Sequence, residues 1–162
     1  SRARPKIADY PFTTLVPNLG VVSVGPGRNF VMADIPGLIE GASDGAGLGL
    51  QFLRHVERCR VLVHVLEFNA ERGDSPLNDY KAILRELERY LPEMLEKPQV
   101  VALNKCDTNP DKEALSKLKR AFARRKLPFF VISAATHQGL GPLLETLYTL
   151  CKAPAPDAKG TP

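Results

Sequence analysis

The chain has 162 residues, 44% of them hydrophobic and 25% charged, which is the make-up of an ordinary globular domain long enough to bury a core without disulfide or metal staples. No apolar run approaches the ~18 residues of a membrane span, and Ser1-Arg2-Ala3-Arg4 leads into no apolar signal core, so the sequence reads as neither secreted nor membrane-bound, with the cytoplasm expected. A net charge of +4 suits a polyanionic partner without requiring one, and Cys59, Cys106 and Cys151 lie too far apart for zinc-ligand spacing and read as reduced thiols.

Residues 1–17 are polar, contain Pro5, Pro11 and Pro17, and show no periodicity, so a loop is expected. Two β-branched or apolar runs follow, 19–24 and 30–33, with Gly25-Pro26-Gly27-Arg28-Asn29 between them supplying turn chemistry, and they are predicted to pair antiparallel. A glycine-rich stretch from Gly41 to Gly49 then leads into a short helix ending near Arg58, with Phe52, Leu53 and Val56 on its apolar face. The remainder alternates strand and amphipathic helix: strand 61–66, helix 77–91, strand 100–103, helix 112–125, strand 129–132, helix 140–150. Near-continuous apolar strands separated by helices predict an α/β fold with a mostly parallel sheet covered on both faces. The proline-containing residues 151–162 are expected to form a disordered tail or linker.

In such sheets ligands sit beyond the carboxyl ends of the strands, and three loops there carry suggestive residues. Asp107, in Asn104-Lys105-Cys106-Asp107, can accept two hydrogen bonds from the guanine edge, donors that adenine lacks. The Lys105 stem can lie against a base, Asn104 can tie its loop to a neighbour, and a backbone N–H around Ala134 in Ser133-Ala134-Ala135 can reach guanine O6. In Asp34-Ile35-Pro36-Gly37, Asp34 can hold magnesium through water and the Gly37 N–H can face a terminal phosphate. Taken singly, each loop reads equally well as a helix cap or turn. Three in this order, each after its own strand, argue for a guanine nucleotide site.

These elements resemble the NKxD, SA and DxPG motifs of the Obg family of GTPases. Family-specific stretches match as well: Pro5-Lys6-Ile7-Ala8 running into Asp9-Tyr10-Pro11-Phe12-Thr13-Thr14-Leu15, then Pro17-Asn18-Leu19-Gly20-Val21-Val22, Gly37-Leu38-Ile39-Glu40-Gly41-Ala42, Gly47-Leu48-Gly49 and Phe52-Leu53-Arg54-His55. The resemblance covers residues 1–150 and implies a Ras-like P-loop NTPase G domain that binds GTP and GDP with magnesium. It also implies slow hydrolysis acting as a switch in large-subunit ribosome assembly and in stress or growth control, with ribosomal RNA as partner and a monomeric complete protein. Phe12, Thr13, Thr14, Leu15 and Val16 resemble the first switch. Thr14, preferred over Thr13, is expected to join Asp34 at the metal.

Two features depart from a working GTPase. Leu38 stands where Ras-like enzymes carry the water-orienting glutamine, as it does in the Obg family, so hydrolysis is expected to be slow and to depend on a monovalent cation or a partner. No glycine is followed by Lys and then Ser or Thr, so the phosphate-binding loop Gly-x-x-x-x-Gly-Lys-Ser/Thr is missing from these residues. The resemblance places that loop, and the central first strand before it, upstream of Ser1. The chain is therefore expected to be a fragment whose sheet has two open edges, between strand 30–33 and strand 61–66. The alternative is a hydrolysis-incompetent guanine-binding or ribosome-interaction module. Lys117, Lys119, Arg120, Arg124, Arg125 and Lys126 form a basic cluster that reads either as a solvated helix face or as a nucleic-acid surface. His55, His64 and His137 are scattered and suggest no metal site.

Overall fold

The computed structural model describes residues 19–34, 58–68, 75–104 and 111–153. The opening loop, the glycine-rich stretch, the helix carrying Phe52, Leu53 and Val56, and the segment after Ala153 all lie outside the described residues. The elements in order are β1 (Leu19–Gly25), β2 (Arg28–Ala33), β3 (Leu62–Glu67), α1 (Pro76–Tyr90), a 3-10 turn (Pro92–Glu96), β4 (Gln99–Asn104), α2 (Lys112–Arg124), β5 (Phe129–Val131) and α3 (Leu140–Lys152).

β1 and β2 pair antiparallel, with Val21 opposite Val31 and Val22 opposite Phe30. The turn is tighter than the sequence suggests: Pro26 fixes the first corner, and Gly27 takes φ +69°, a backbone angle that L side chains rarely adopt. β3, β4 and β5 form a separate parallel sheet in that order, with Val63 beside Val100 and Val101 beside Phe129. Among the described residues no ladder joins β2 to β3, the two strands between which the open edges are expected. Val31 on β2 and Val65 on β3 are about three-fifths exposed, at 61% each.

Helix boundaries follow local chemistry. Ser75 caps α1 by accepting from the Leu77 N–H at 3.2 Å, and Pro76 occupies the first turn, where its missing donor costs nothing. Pro92 ends the α-helical run, and the chain restarts as the 3-10 turn, which places Met94 in the interior. Asp111 caps α2 through the Glu113 N–H at 3.2 Å. The last helix runs past the expected Leu150: Cys151 and Lys152 belong to it, the Ala153 N–H closes onto Thr149 O at 3.1 Å, and Pro154 follows.

β4 is the centre of the sheet, and its side chains alternate between two cores. Val100 and Ala102 join Val22, Ile132, Leu143, Leu144 and Leu147 on the α3 side. Val101 and Leu103 join Leu66, Tyr80, Leu118 and Phe122 on the side of α1 and α2. The hairpin docks on α3 through Val22, and Arg28 grips Glu145 through two hydrogen bonds of 3.2 and 2.6 Å while lying over the Tyr148 ring at 4.8 Å. Fold class and layering are those expected from the sequence: helices on both faces of a parallel sheet.

A line of rings crosses the second core, His64 to Tyr80 at 5.0 Å, Tyr80 to Phe122 at 5.1 Å and Phe122 to Phe129 at 5.4 Å. Phe122 has no exposed surface, so Phe122→Ala should cost about 3–5 kcal/mol, read as a lowered midpoint in chemical denaturation. His64 is buried, its Nε2–H donates to Gln99 Oε1 at 2.8 Å, and burial outweighs that bond to hold its pKa below the ordinary value. The unfolded chain therefore binds the extra proton more readily. The neutral ring's contribution to stability is complete above about pH 6.5 and is lost as pH falls through the folded-state value. His64→Leu should flatten the acid-side decline in melting temperature between about pH 7 and pH 5, measured by thermal denaturation across a pH series.

Candidate functional site

The site is built at the carboxyl ends of the strands. β4 ends at Asn104 and Ser133 lies two residues past the end of β5, so the parallel register sets these two loops side by side. The Asn104 side-chain oxygen accepts a hydrogen bond from the Ala134 N–H at 2.9 Å. Ile132 N–H, one step earlier, donates to Leu103 O at 2.8 Å and continues the ladder past the end of β5. The two loops are thereby tied across 30 residues of sequence.

The second loop closes on itself. Ser133 is fully buried, its N–H donates to Gln138 O at 2.8 Å, and its Oγ accepts from the Thr136 N–H at 3.2 Å. His137 sits at φ +67° and Gly139 at φ +75°. A Cβ at Gly139 would collide with the Val131 carbonyl oxygen, so glycine is needed for both backbone angle and space. Ser133 thus serves the loop's own geometry, and Gln138 and Gly139 hold it closed. Neither of those two residues stands out in the sequence. The only local signal is a glycine just before the apolar run of α3.

With the Ala134 N–H engaged by Asn104, the neighbouring Ala135 N–H is among the loop donors that have no protein acceptor among the described residues. A ligand carbonyl can take it directly. Asp34 is exposed just past the end of β2 and offers carboxylate oxygens, the ligand type that magnesium prefers. The other expected site residues, Phe12, Thr13, Thr14, Leu15, Val16, Ile35, Pro36, Gly37, Leu38, Lys105, Cys106 and Asp107, lie outside the described residues. Among the described residues no group of three or more His, Cys, Asp or Glu side chains could hold a metal.

A family profile described as "50S ribosome-binding GTPase" matches residues 1–105. The chain belongs to that family. Among its curated relatives it is 60% identical to GTPase Obg of Anaeromyxobacter sp. (strain Fw109-5), over 99% of this chain and 46% of the relative. It is 55% identical to GTPase Obg of Myxococcus xanthus (strain DK1622), over 91% of this chain and 30% of the relative. The Obg resemblance read from the motifs therefore holds, and the chain spans less than half the length of these relatives. A crystal structure of Era in complex with MgGDPNP and part of 16S ribosomal RNA covers 96% of this chain and 49% of its own, with TM-score 0.60 and 24% identity, a likeness of fold.

No described helix is long and apolar enough to cross a membrane. His64, in mid-strand on β3 beside Val101 of β4, is a core histidine, as its bond to Gln99 and its packing on Tyr80 require. Burial pushes the Cys59 and Cys151 thiols up, which keeps them protonated near neutral pH. The closed loop gives a direct expectation for this GTPase-family chain: Gly139→Ala should destabilise it by at least about 1–2 kcal/mol, measured by urea denaturation, with the loss larger than for the exposed Gly141→Ala.

Proposed function

We propose that this chain is most of the guanine-nucleotide domain of an Obg-type protein, a magnesium-dependent, slow GTPase that switches with its nucleotide during large ribosomal subunit assembly and in growth or stress control. The observation that carries the reading is the Asn104–Ala134 hydrogen bond, because it sets the loop that leads to Asp107 against the loop that offers backbone N–H donors. In this arrangement Asp107 selects guanine through two charge-assisted hydrogen bonds, the Lys105 stem covers the base, and the Ala135 N–H reaches O6. Phosphates and metal fall to Phe12–Val16, with Thr14, and to Asp34, Ile35, Pro36 and Gly37. Bound magnesium would offset phosphate charge, and Asp34 is exposed where a water-mediated contact is feasible. Leu38 offers no atom to orient a water, which fits slow turnover and a contribution from a monovalent cation or partner.

The ribosome enters through the family's description. Residues 1–150 act as the G domain, the segment after the last helix acts as a linker, and the complete protein works as a cytoplasmic monomer. A second reading is favoured by one specific fact, the lack of any Gly-Lys-Ser/Thr sequence in the 162 residues. The backbone of such a loop supplies much of the phosphate affinity, so these residues alone would form a guanine-binding module without turnover.

Titration with fluorescent GDP and GTP in magnesium, with ATP as competitor, tests both readings. Guanine-specific binding that weakens at least about tenfold in Asp107→Asn is the expected result, since the exchange removes the charged two-pronged acceptor. Phosphate release from GTP in the same samples identifies the enzyme, and binding without release identifies the module. Equal affinity for ATP and GTP would sink the guanine assignment.

A further inference from the structure

Positive charge on this protein is concentrated in one element. Residues 111–126, which are α2 with its cap and exit, hold seven Lys or Arg and two acidic side chains, a net +5 against +4 for the whole chain. The rest of the molecule is therefore slightly acidic. All seven cations are exposed: Lys112, Lys117, Lys119, Arg120, Arg124, Arg125 and Lys126. Leu115, Leu118 and Phe122 turn inward to the second core, so Lys117, Arg120 and Arg124, at spacings of three and four, line up along the outward face. From Lys112 to Arg124 the helix extends about 18 Å. Among the described residues the one ion pair on this helix is Lys117 with Glu113 at 4.0 Å, between side chains 69% and 77% exposed, an interaction that neutralises little.

The stripe continues into a cleft at the amino ends of β4 and β5, the opposite end of the sheet from Asn104 and Ser133. Tyr80, Lys97, Gln99, Arg125, Lys126 and Pro128 are among its lining residues, and no acidic side chain is. Arg125 lies over the Tyr80 ring at 5.8 Å while remaining exposed, which presents a flat guanidinium on which a nucleobase can stack.

We propose that the outward face of α2 and the adjoining cleft form an RNA-binding surface that engages the phosphate backbone, with Arg120 and Arg124 at its centre. The inference rests on the ribosome reading above and assigns it a face. Structured RNA fits better than an anionic bilayer. A membrane-seated helix turns apolar side chains outward, whereas those of α2 are packed in the core, and none of the exposed large hydrophobics, Leu19, Val21, Val31, Met32 and Val65, lies on it.

The test is fluorescence anisotropy of a labelled RNA hairpin with a double-stranded stem, titrated with the full chain across a salt series. Arg120→Glu/Arg124→Glu is compared with Lys81→Glu/Arg85→Glu, a reversal of equal charge at exposed positions of α1, with melting temperatures showing that both fold. The expected result is at least a tenfold weaker Kd for the α2 variant, with the α1 variant within about threefold of wild type. The salt slope should also become shallower by about one for each phosphate that the α2 variant no longer neutralises. Equal weakening in both variants would reduce the effect to net charge and overturn the proposal, as would no weakening in either. Binding to phosphatidylserine-containing vesicles in place of RNA would overturn it in favour of a lipid surface. Ribosomal particles take no part in the measurement, and nucleotide titration of the same variants is expected to be unchanged. A failure of the ribosome reading or of the guanine site is thereby distinguished from a failure of this surface.

Discussion

Strand β4 has to be covered on both faces, because Val100, Val101, Ala102 and Leu103 all stand at 0–1% exposure. Each pair of alternating side chains calls for its own helical layer, so α3 is held on one side while α1 and α2 are held on the other. The flanking parallel strands follow from the same requirement, since a strand buried on both faces also needs hydrogen-bonded neighbours along both edges. Both the Asn104 loop and the basic cleft are referred to this strand. Its carboxyl end carries Asn104, and its amino end opens into the cationic cleft.

The two ends of the sheet are chemically unlike. At the carboxyl end, side chains and backbone serve geometry: an amide bonded to the next loop, a buried serine closing a turn and a glycine where no Cβ fits. Such a surface offers directed hydrogen-bond donors and acceptors, which suits a small ligand with a defined edge. At the amino end Arg125 and Lys126 are long, cationic and exposed, which suits an extended polyanion. Slight acidity over the rest of the molecule sharpens that contrast by discouraging polyanions elsewhere.

Most of the described architecture is legible in the periodicity of the sequence. Every described strand and α-helix lies where it is expected, because two-residue and 3.6-residue patterns are dictated by burial, and burial here is decided by β4. What escapes such a reading depends on groups distant in sequence. The 3-10 turn after Leu91 is marked only by Pro92. The restriction on Gly139 comes from the Val131 carbonyl pressing against it, which its neighbours in sequence do not announce. His64 lies in an apolar run that says nothing of its partners, and Gln99, which accepts from it, is 35 residues away. Asn104 is the opposite case: its place in a short motif points to a tie between loops, and Ala134 is where the bond is made. The roles expected of Asp107 and Gly37 come from the motifs and that of Thr14 from the family resemblance, and all three residues lie outside the described ones.

The position of α3 carries a consequence for synthesis. The β1–β2 hairpin needs only a two-residue turn, so it can form within microseconds of leaving the ribosome. Its cover on the buried side, around Val22 and Phe30, comes from Leu143, Leu144 and Leu147 of the last helix. At ordinary elongation rates of about 5–20 residues per second, the ribosome takes roughly 6–23 s to travel from the hairpin to that helix. During this interval the hairpin lacks the cover that α3 supplies among the described residues. The docking of the hairpin on α3 can therefore come no sooner than translation of the last helix allows.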